Sequence, residues 1–155
     1  MAVVGRVGVV VAVLVARVRE HHAHRGQAGG AQAAISDDAV KIGILTDMSG
    51  TYSDLAGPGV VAAAEMAIAD VGGKVAGKPI VMLKADHQNK ADIAANKARE
   101  WIDTQGLTML FGGTNSGTAL ASAKVAAEKK RVYINNGAAS SALTNEQCTP
   151  YTVHY

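Results

Sequence analysis

Four short apolar runs, at residues 40–46, 80–85, 107–111 and 131–134, recur along the chain, and helical patterns separate them. After the first run, Val60, Val61, Ala64, Ala67, Ile68 and Val71 fall on one helical face. After the second, Ala91, Ala94, Ala95, Ala98, Trp101 and Ile102 do the same. After the third, residues 119–128 form an alanine-rich helix. Strand and helix therefore alternate as β-α-β-α-β-α-β. A chain of this kind folds into a doubly wound α/β domain with a parallel sheet and right-handed crossovers. The predicted strand order is 2-1-3-4, with helices on both faces. Ligands of such sheets bind beyond the carboxyl ends of the strands. Those ends are the loops that begin at Asp47, Asp86, Gly112 and Asn135.

The connections carry the expected punctuation. Residues 47–57 read as a long loop, and Pro58 suits the first turn of a helix. Gly72-Gly73 stops that helix, and Gly77-Lys78-Pro79 reads as a turn.

One connection has the chemistry of a receptor. Gly112-Gly113-Thr114-Asn115-Ser116-Gly117-Thr118 links the third run to its helix. Its glycines let the backbone turn tightly. A helix N-terminus carries unpaired N–H groups and a partial positive charge. Ser116 or Asn115 can cap it, and the remaining donors suit a carboxylate. The loop after the fourth run, residues 135–144, is again small and polar.

Other motifs are weaker. Gly57-Pro58-Gly59-Val60-Val61-Ala62 matches the dinucleotide fingerprint G-x-G-x-x-A, which would make the chain a Rossmann-type nucleotide-cofactor enzyme. In that fingerprint the first glycine directly follows a strand, whereas ten residues separate Thr46 from Gly57. The residues around Ser116 match neither a nucleophile elbow nor a phosphate loop. Adjacent Asp86 and His87 point to opposite sides of an extended chain and make a poor chelate. No catalytic residue, no metal site and no cofactor is expected from the sequence.

The 155 residues suffice for a domain with a core, and 48% are hydrophobic, largely alanine and valine, while aromatics reach only 4%. That composition suits close helix–sheet packing. The formal charge is +2, but residues 1–33 alone carry +3, so the body is nearly neutral and nucleic acid is not its partner. Cys148 is the single cysteine, which excludes an internal disulfide and a cysteine metal cluster. Residues 7–16 are apolar and fit the core of a secretory signal, and Ala31-Gln32-Ala33 resembles its cleavage site. The stretch between, with Arg17, Arg19, Glu20, His21, His22, His24 and Arg25, is more polar than such signals usually are. Residues 1–37 are read as a signal-like or disordered leader, and the histidine tract as a solvated part of it. A protein exported to the periplasm should begin near Ala34.

Four stretches together carry a family likeness. They are Val40-Lys41-Ile42-Gly43 leading into Asp47-Met48-Ser49-Gly50-Thr51-Tyr52, then Ala85-Asp86-His87-Gln88-Asn89-Lys90, Asn115-Ser116-Gly117, and Gly137 through Thr144. In this order they resemble the start of a periplasmic substrate-binding protein of an ABC importer, in the branched-chain amino acid (leucine/isoleucine/valine-binding) family. The likeness covers residues 38–155. It implies the Rossmann-like first lobe of a type I periplasmic binding protein fold, truncated before its second lobe. It implies capture of an amino acid or related small carboxylate between two lobes, delivery to ABC permease membrane subunits, and no catalysis. A sensing receptor domain of the same fold is the alternative role. By position, Asn115 and Ser116 resemble the carboxylate-binding residues after the third strand. Ala138, Ala139 and Ser140 resemble those after the fourth, with Ser140 where threonine is common. Ser49 and Tyr52 resemble residues of the first loop that line the cleft.

Overall fold

The computed structural model describes residues 38–155. The predicted leader, with its histidine tract and cleavage site, lies outside the described residues. The elements are β1 (Val40–Thr46), α1 (Ser53–Ala56), α2 (Pro58–Asp70), β2 (Lys74–Val75), β3 (Lys78–Asp86), α3 (Ala91–Gln105), β4 (Met109–Gly112), α4 (Ser116–Glu128), β5 (Val132–Asn135), a 3-10 turn (Ser141–Leu143) and β6 (Thr152–His154).

Among the described residues the sheet has the order β2-β3-β1-β4-β5-β6. The four strands read from the sequence thus lie in the predicted order, all mutually parallel. Two further strands extend the sheet. β2 pairs antiparallel with the start of β3, so Lys78 and Pro79 belong to a strand and the turn is confined to residues before them. Pro79 is tolerated there because it sits at the strand's beginning, beside a two-residue edge partner. β6 adds in parallel to β5. Its three residues are too few to show a period. The long first loop also contains a single helical turn, α1.

The crossovers explain the two faces. The path from β1 to β3 runs one way along the sheet and places α2 on one side. The paths from β3 to β4 and from β4 to β5 run the other way, so right-handed connections place α3 and α4 on the opposite side. The core divides accordingly. Ala94, Ala98, Trp101 and Ile102 of α3 and Ala119, Ala123 and Ala126 of α4 pack with Leu45, Leu110 and Tyr133. Val61 of α2 packs with Ile42, Ile44, Met109 and Ile134. Neighbouring residues of one strand feed opposite cores, as a sheet covered on both faces requires. Gly43 of β1 makes room for the tryptophan: a Cβ there would lie 2.7 Å from the Trp101 ring. α3 ends at Gly106, which adopts the left-handed conformation and returns its N–H to the Trp101 carbonyl.

The direction of the chain reverses between β1 and β4. That makes their carboxyl ends the topological switch point. In register, Leu45 stands beside Gly112, Gly112 beside Asn135, and Thr46 beside Asp86. The loops that follow these residues form one edge.

Candidate ligand-binding site

The loop after β4 is set by two glycines. Gly112 and Gly113 have φ of +133° and +97°, values that L side chains rarely adopt. Space forbids a side chain as well: a Cβ on Gly112 would meet the Leu45 carbonyl, and one on Gly113 would meet the Tyr133 hydroxyl and the Asn135 amide. These two partners hold the turn from beneath. The Tyr133 hydroxyl donates to the Gly112 carbonyl at 2.9 Å. The Asn135 side-chain amide donates to the Gly113 carbonyl at 2.7 Å. Burial pushes the Tyr133 hydroxyl's pKa far up, and a weaker opposing effect comes from Asn135, so the phenol stays protonated and remains a donor.

Asn135 also shapes the next loop. Its side-chain oxygen accepts from the Ala138 amide at 3.1 Å and from the Gly137 amide at 3.4 Å. One fully buried side chain thus binds the loops after β4 and β5 to each other. The two loops adjoin: a Cβ built on Gly137 would lie 3.6 Å from the Thr114 Cα. The Ala138 carbonyl is occupied too, since it accepts from the His154 Nε2 of β6.

The predicted site residues divide in this frame. Asn115 is the cap of α4, its Oδ1 accepting from the Gly117 and Thr118 amides at 2.7 and 3.2 Å. Ser116 is therefore not the cap. It occupies the first helical position, half-buried, and its hydroxyl has no hydrogen bond among the described residues. Ala138 is buried and its amide is taken by Asn135, whereas Ala139 is exposed and its amide makes no such bond. Ser140 accepts from the Ala142 amide at 3.3 Å and keeps its own proton to give. Asn115, Ser116, Ala138, Ala139 and Ser140 come together on the β4–β5 side of the switch point. Ser116, Ala139 and Ser140 all offer hydrogen-bond donors there.

Ser49 and Tyr52 sit on the other side and are organised by carboxylates. Buried Asp47 accepts from the Gly50 amide at 2.7 Å and the Tyr52 amide at 2.9 Å, which folds the loop after β1 back on itself. Asp86, at the end of β3, accepts from the Met48 and Gln88 amides at 3.0 and 2.7 Å through one oxygen. Its other oxygen accepts from the Ser49 hydroxyl in a short hydrogen bond. Neither Asp47, Asp86 nor Asn135 is a site residue predicted from the sequence. Their signal was only a polar residue at a strand's last position or just beyond it.

His87 lies beneath the same edge, almost fully buried. Its Nδ1 accepts from the Asn89 amide at 3.1 Å, so the ring carries its proton on Nε2, which has no partner among the described residues. Desolvation lowers its pKa below the usual 6.5, against the opposing pull of Asp47 and Asp86. An unfolded chain thus binds a proton on His87 at a pH where the folded chain does not. The stability is fully present above pH 6.5 and falls as pH drops from 6.5 through the lower folded value. Thermal unfolding between about pH 5 and 8 should show this decline, and His87→Asn, which keeps an acceptor for the Asn89 amide, should flatten it. An unchanged slope in the variant would show that His87 does not titrate with folding.

The dinucleotide reading finds no support in this arrangement. Gly57 follows α1 rather than a strand and packs on the Ser53 and Asp47 carbonyls, and Gly59 has open space around it. Among the described residues no group of three or more acidic, histidine or cysteine side chains could hold a metal ion, and no helix is long and apolar enough to cross a membrane. A shallow depression on the flank of α4, lined by Leu120, Ala123, Ala127, Gln147 and Thr149, lies away from the strand ends.

Comparison with known proteins agrees with the fold. The periplasmic binding protein family profile matches residues 39–155. A periplasmic binding protein from Burkholderia mallei is 67% identical, with a TM-score of 0.76 over 77% of this chain and 32% of that one. A branched-chain amino acid ABC transporter periplasmic ligand-binding protein from Burkholderia xenovorans is 45% identical, with a TM-score of 0.69 over 72% and 30%. A solute-binding protein of an ABC transporter from Rhodopseudomonas palustris, in complex with 3,4-dihydroxybenzoic acid, is 29% identical, with a TM-score of 0.70 over 76% and 32%. No protein of curated function matches the sequence. The chain spans about a third of the length of these solved structures, and the fold it displays is part of the type I periplasmic binding protein fold. On the family match, the shared parallel sheet and the loop edge at its switch point, this chain belongs to the periplasmic binding protein family.

Proposed function

We propose that residues 38–155 form the N-terminal lobe of the solute-binding component of an ABC import system, and that residues 1–37 act as its export leader to the periplasm. The lobe captures an amino acid or a related small carboxylate and, closed on it with a second lobe, docks on the permease subunits in the membrane. No bond is made or broken. The work is recognition and release, driven by closure of the two lobes.

The observation that carries this reading is the division of labour at the start of α4. Asn115 caps the helix, and the Ser116 hydroxyl beside it is left without a partner among the described residues. A carboxylate at that position gains a charge-assisted hydrogen bond and the favourable end of the helix dipole. Ala139 and Ser140 add donors from the adjoining loop. The named relatives support a small carboxylate in general: one is described as a branched-chain amino acid transporter's binding protein and another holds a dihydroxybenzoate. Titration calorimetry of the full-length protein with leucine, isoleucine, valine and hydroxybenzoates tests the class. One or more should bind, and the matching neutral amide should bind at least about tenfold more weakly, the loss of one hydrogen bond to a charged group. Equal binding of acid and amide would exclude the carboxylate reading.

A further inference from the structure

The two sides of the switch point differ in hydrogen-bond polarity. The β4–β5 side offers donors: the hydroxyls of Ser116 and Ser140 and the amide of Ala139. The β1 side is governed by Asp86, and there the polarity is reversed. One Asp86 oxygen is shared by the Met48 and Gln88 amides, and the other receives the Ser49 hydroxyl. Burial raises the carboxyl's pKa, but the hydrogen bonds from Ser49, Met48 and Gln88 outweigh it and hold the group below 3.8. Asp86 is thus ionised near neutral pH and can only accept.

A serine hydroxyl has one proton and two lone pairs. The proton of Ser49 is committed to Asp86, so only its lone pairs remain for anything else. Ser49 is itself exposed on the strand-end edge. It cannot donate to a ligand carboxylate without surrendering its bond to Asp86. We propose that Ser49, oriented by Asp86, is a specificity-determining acceptor that selects ligands carrying a hydrogen-bond donor, an ammonium, hydroxyl or amide N–H, in addition to their carboxylate. Asp86 is the positioning residue, and the half-site reads a dipolar ligand with its acceptor end at α4 and its donor end at the β1 loop. This rests on the carboxylate reading above and adds to it the sign of the second contact.

Two matched pairs of carboxylates separate the possibilities by calorimetry in the full-length protein. Leucine is compared with 4-methyl-2-oxopentanoate, and 4-hydroxybenzoate with 4-methoxybenzoate. In each pair the first member has a donor where the second has only an acceptor. The donor-bearing member of the binding pair should bind more tightly to the unaltered protein. Ser49→Ala should shrink that preference about tenfold, one hydrogen bond's worth. Asp86→Asn should shift it further toward the acceptor-bearing member, because the new amide donates to Ser49 and frees the hydroxyl proton. A preference that Ser49→Ala leaves unmoved, or equal losses for both members, overturns this inference while the carboxylate reading stands. No binding by any of the four overturns the carboxylate reading itself and this one with it.

Discussion

Replacing Asn135 by alanine is expected to destabilise the fold by about 2–6 kcal/mol, from two buried groups left unpaired at about 1–3 kcal/mol each. The side chain is fully buried and works in both directions. Its amide supplies the Gly113 carbonyl, and its oxygen receives the Ala138 amide. Alanine does neither, and the site is too enclosed for water to replace both without rearrangement. Asn135→Asp should be at least as harmful, because a carboxylate cannot donate to the Gly113 carbonyl. Urea denaturation measures the loss, provided the slope with denaturant is unchanged. A loss below about 1 kcal/mol, the typical net value of a single hydrogen bond, would show that Asn135 does not couple the two loops.

Gly113→Ala should produce a loss of similar size, about 2–6 kcal/mol, through a different cause. A side chain at φ +97° is strained wherever it stands, at about 1–3 kcal/mol. The added Cβ also meets the Tyr133 hydroxyl and the Asn135 amide, both buried in a packed interior, and overpacking adds about 1–3 kcal/mol. Gly59→Ala is the contrasting case. Among the described residues no atom lies within 4 Å of its Cβ position, and it sits in the first turn of α2. There alanine should be neutral or raise stability by about 0.4–1 kcal/mol. The same denaturation experiment covers both. Equal effects at Gly113 and Gly59 would mean that the β4 turn tolerates a side chain.

The difference between these glycines shows what the sequence could reveal. The β-α alternation and the parallel strand order were legible, because periodicity and turn residues encode them locally. β2 and β6 were not, since two and three residues carry no period and form only where a longer strand offers an edge. Within the site, the loops were legible as stretches of small polar residues, but the division of hydrogen bonds was not. Either Asn115 or Ser116 could have capped α4, and only three-dimensional geometry shows that Asn115 does. The same holds for Ala138. Its likeness to a carboxylate-binding position would call for a free amide, yet Asn135 three residues earlier occupies it. Asp86 illustrates a long reach, acting on Ser49 across 37 residues of sequence.

The start of α4 is expected to receive a carboxylate through Ser116. Titration calorimetry of the full-length protein and its Ser116→Ala variant, with the best-binding carboxylate, tests it most directly. Because Asn115 caps the helix, the substitution should leave unfolding unchanged while lowering affinity by about 1.5–3 kcal/mol, the strength of a hydrogen bond to a charged group, or about one to two decades. Lys124→Ala, exposed further along the same helix, should change little. Equal affinities for the unaltered protein and Ser116→Ala would contradict the claim and place the carboxylate elsewhere.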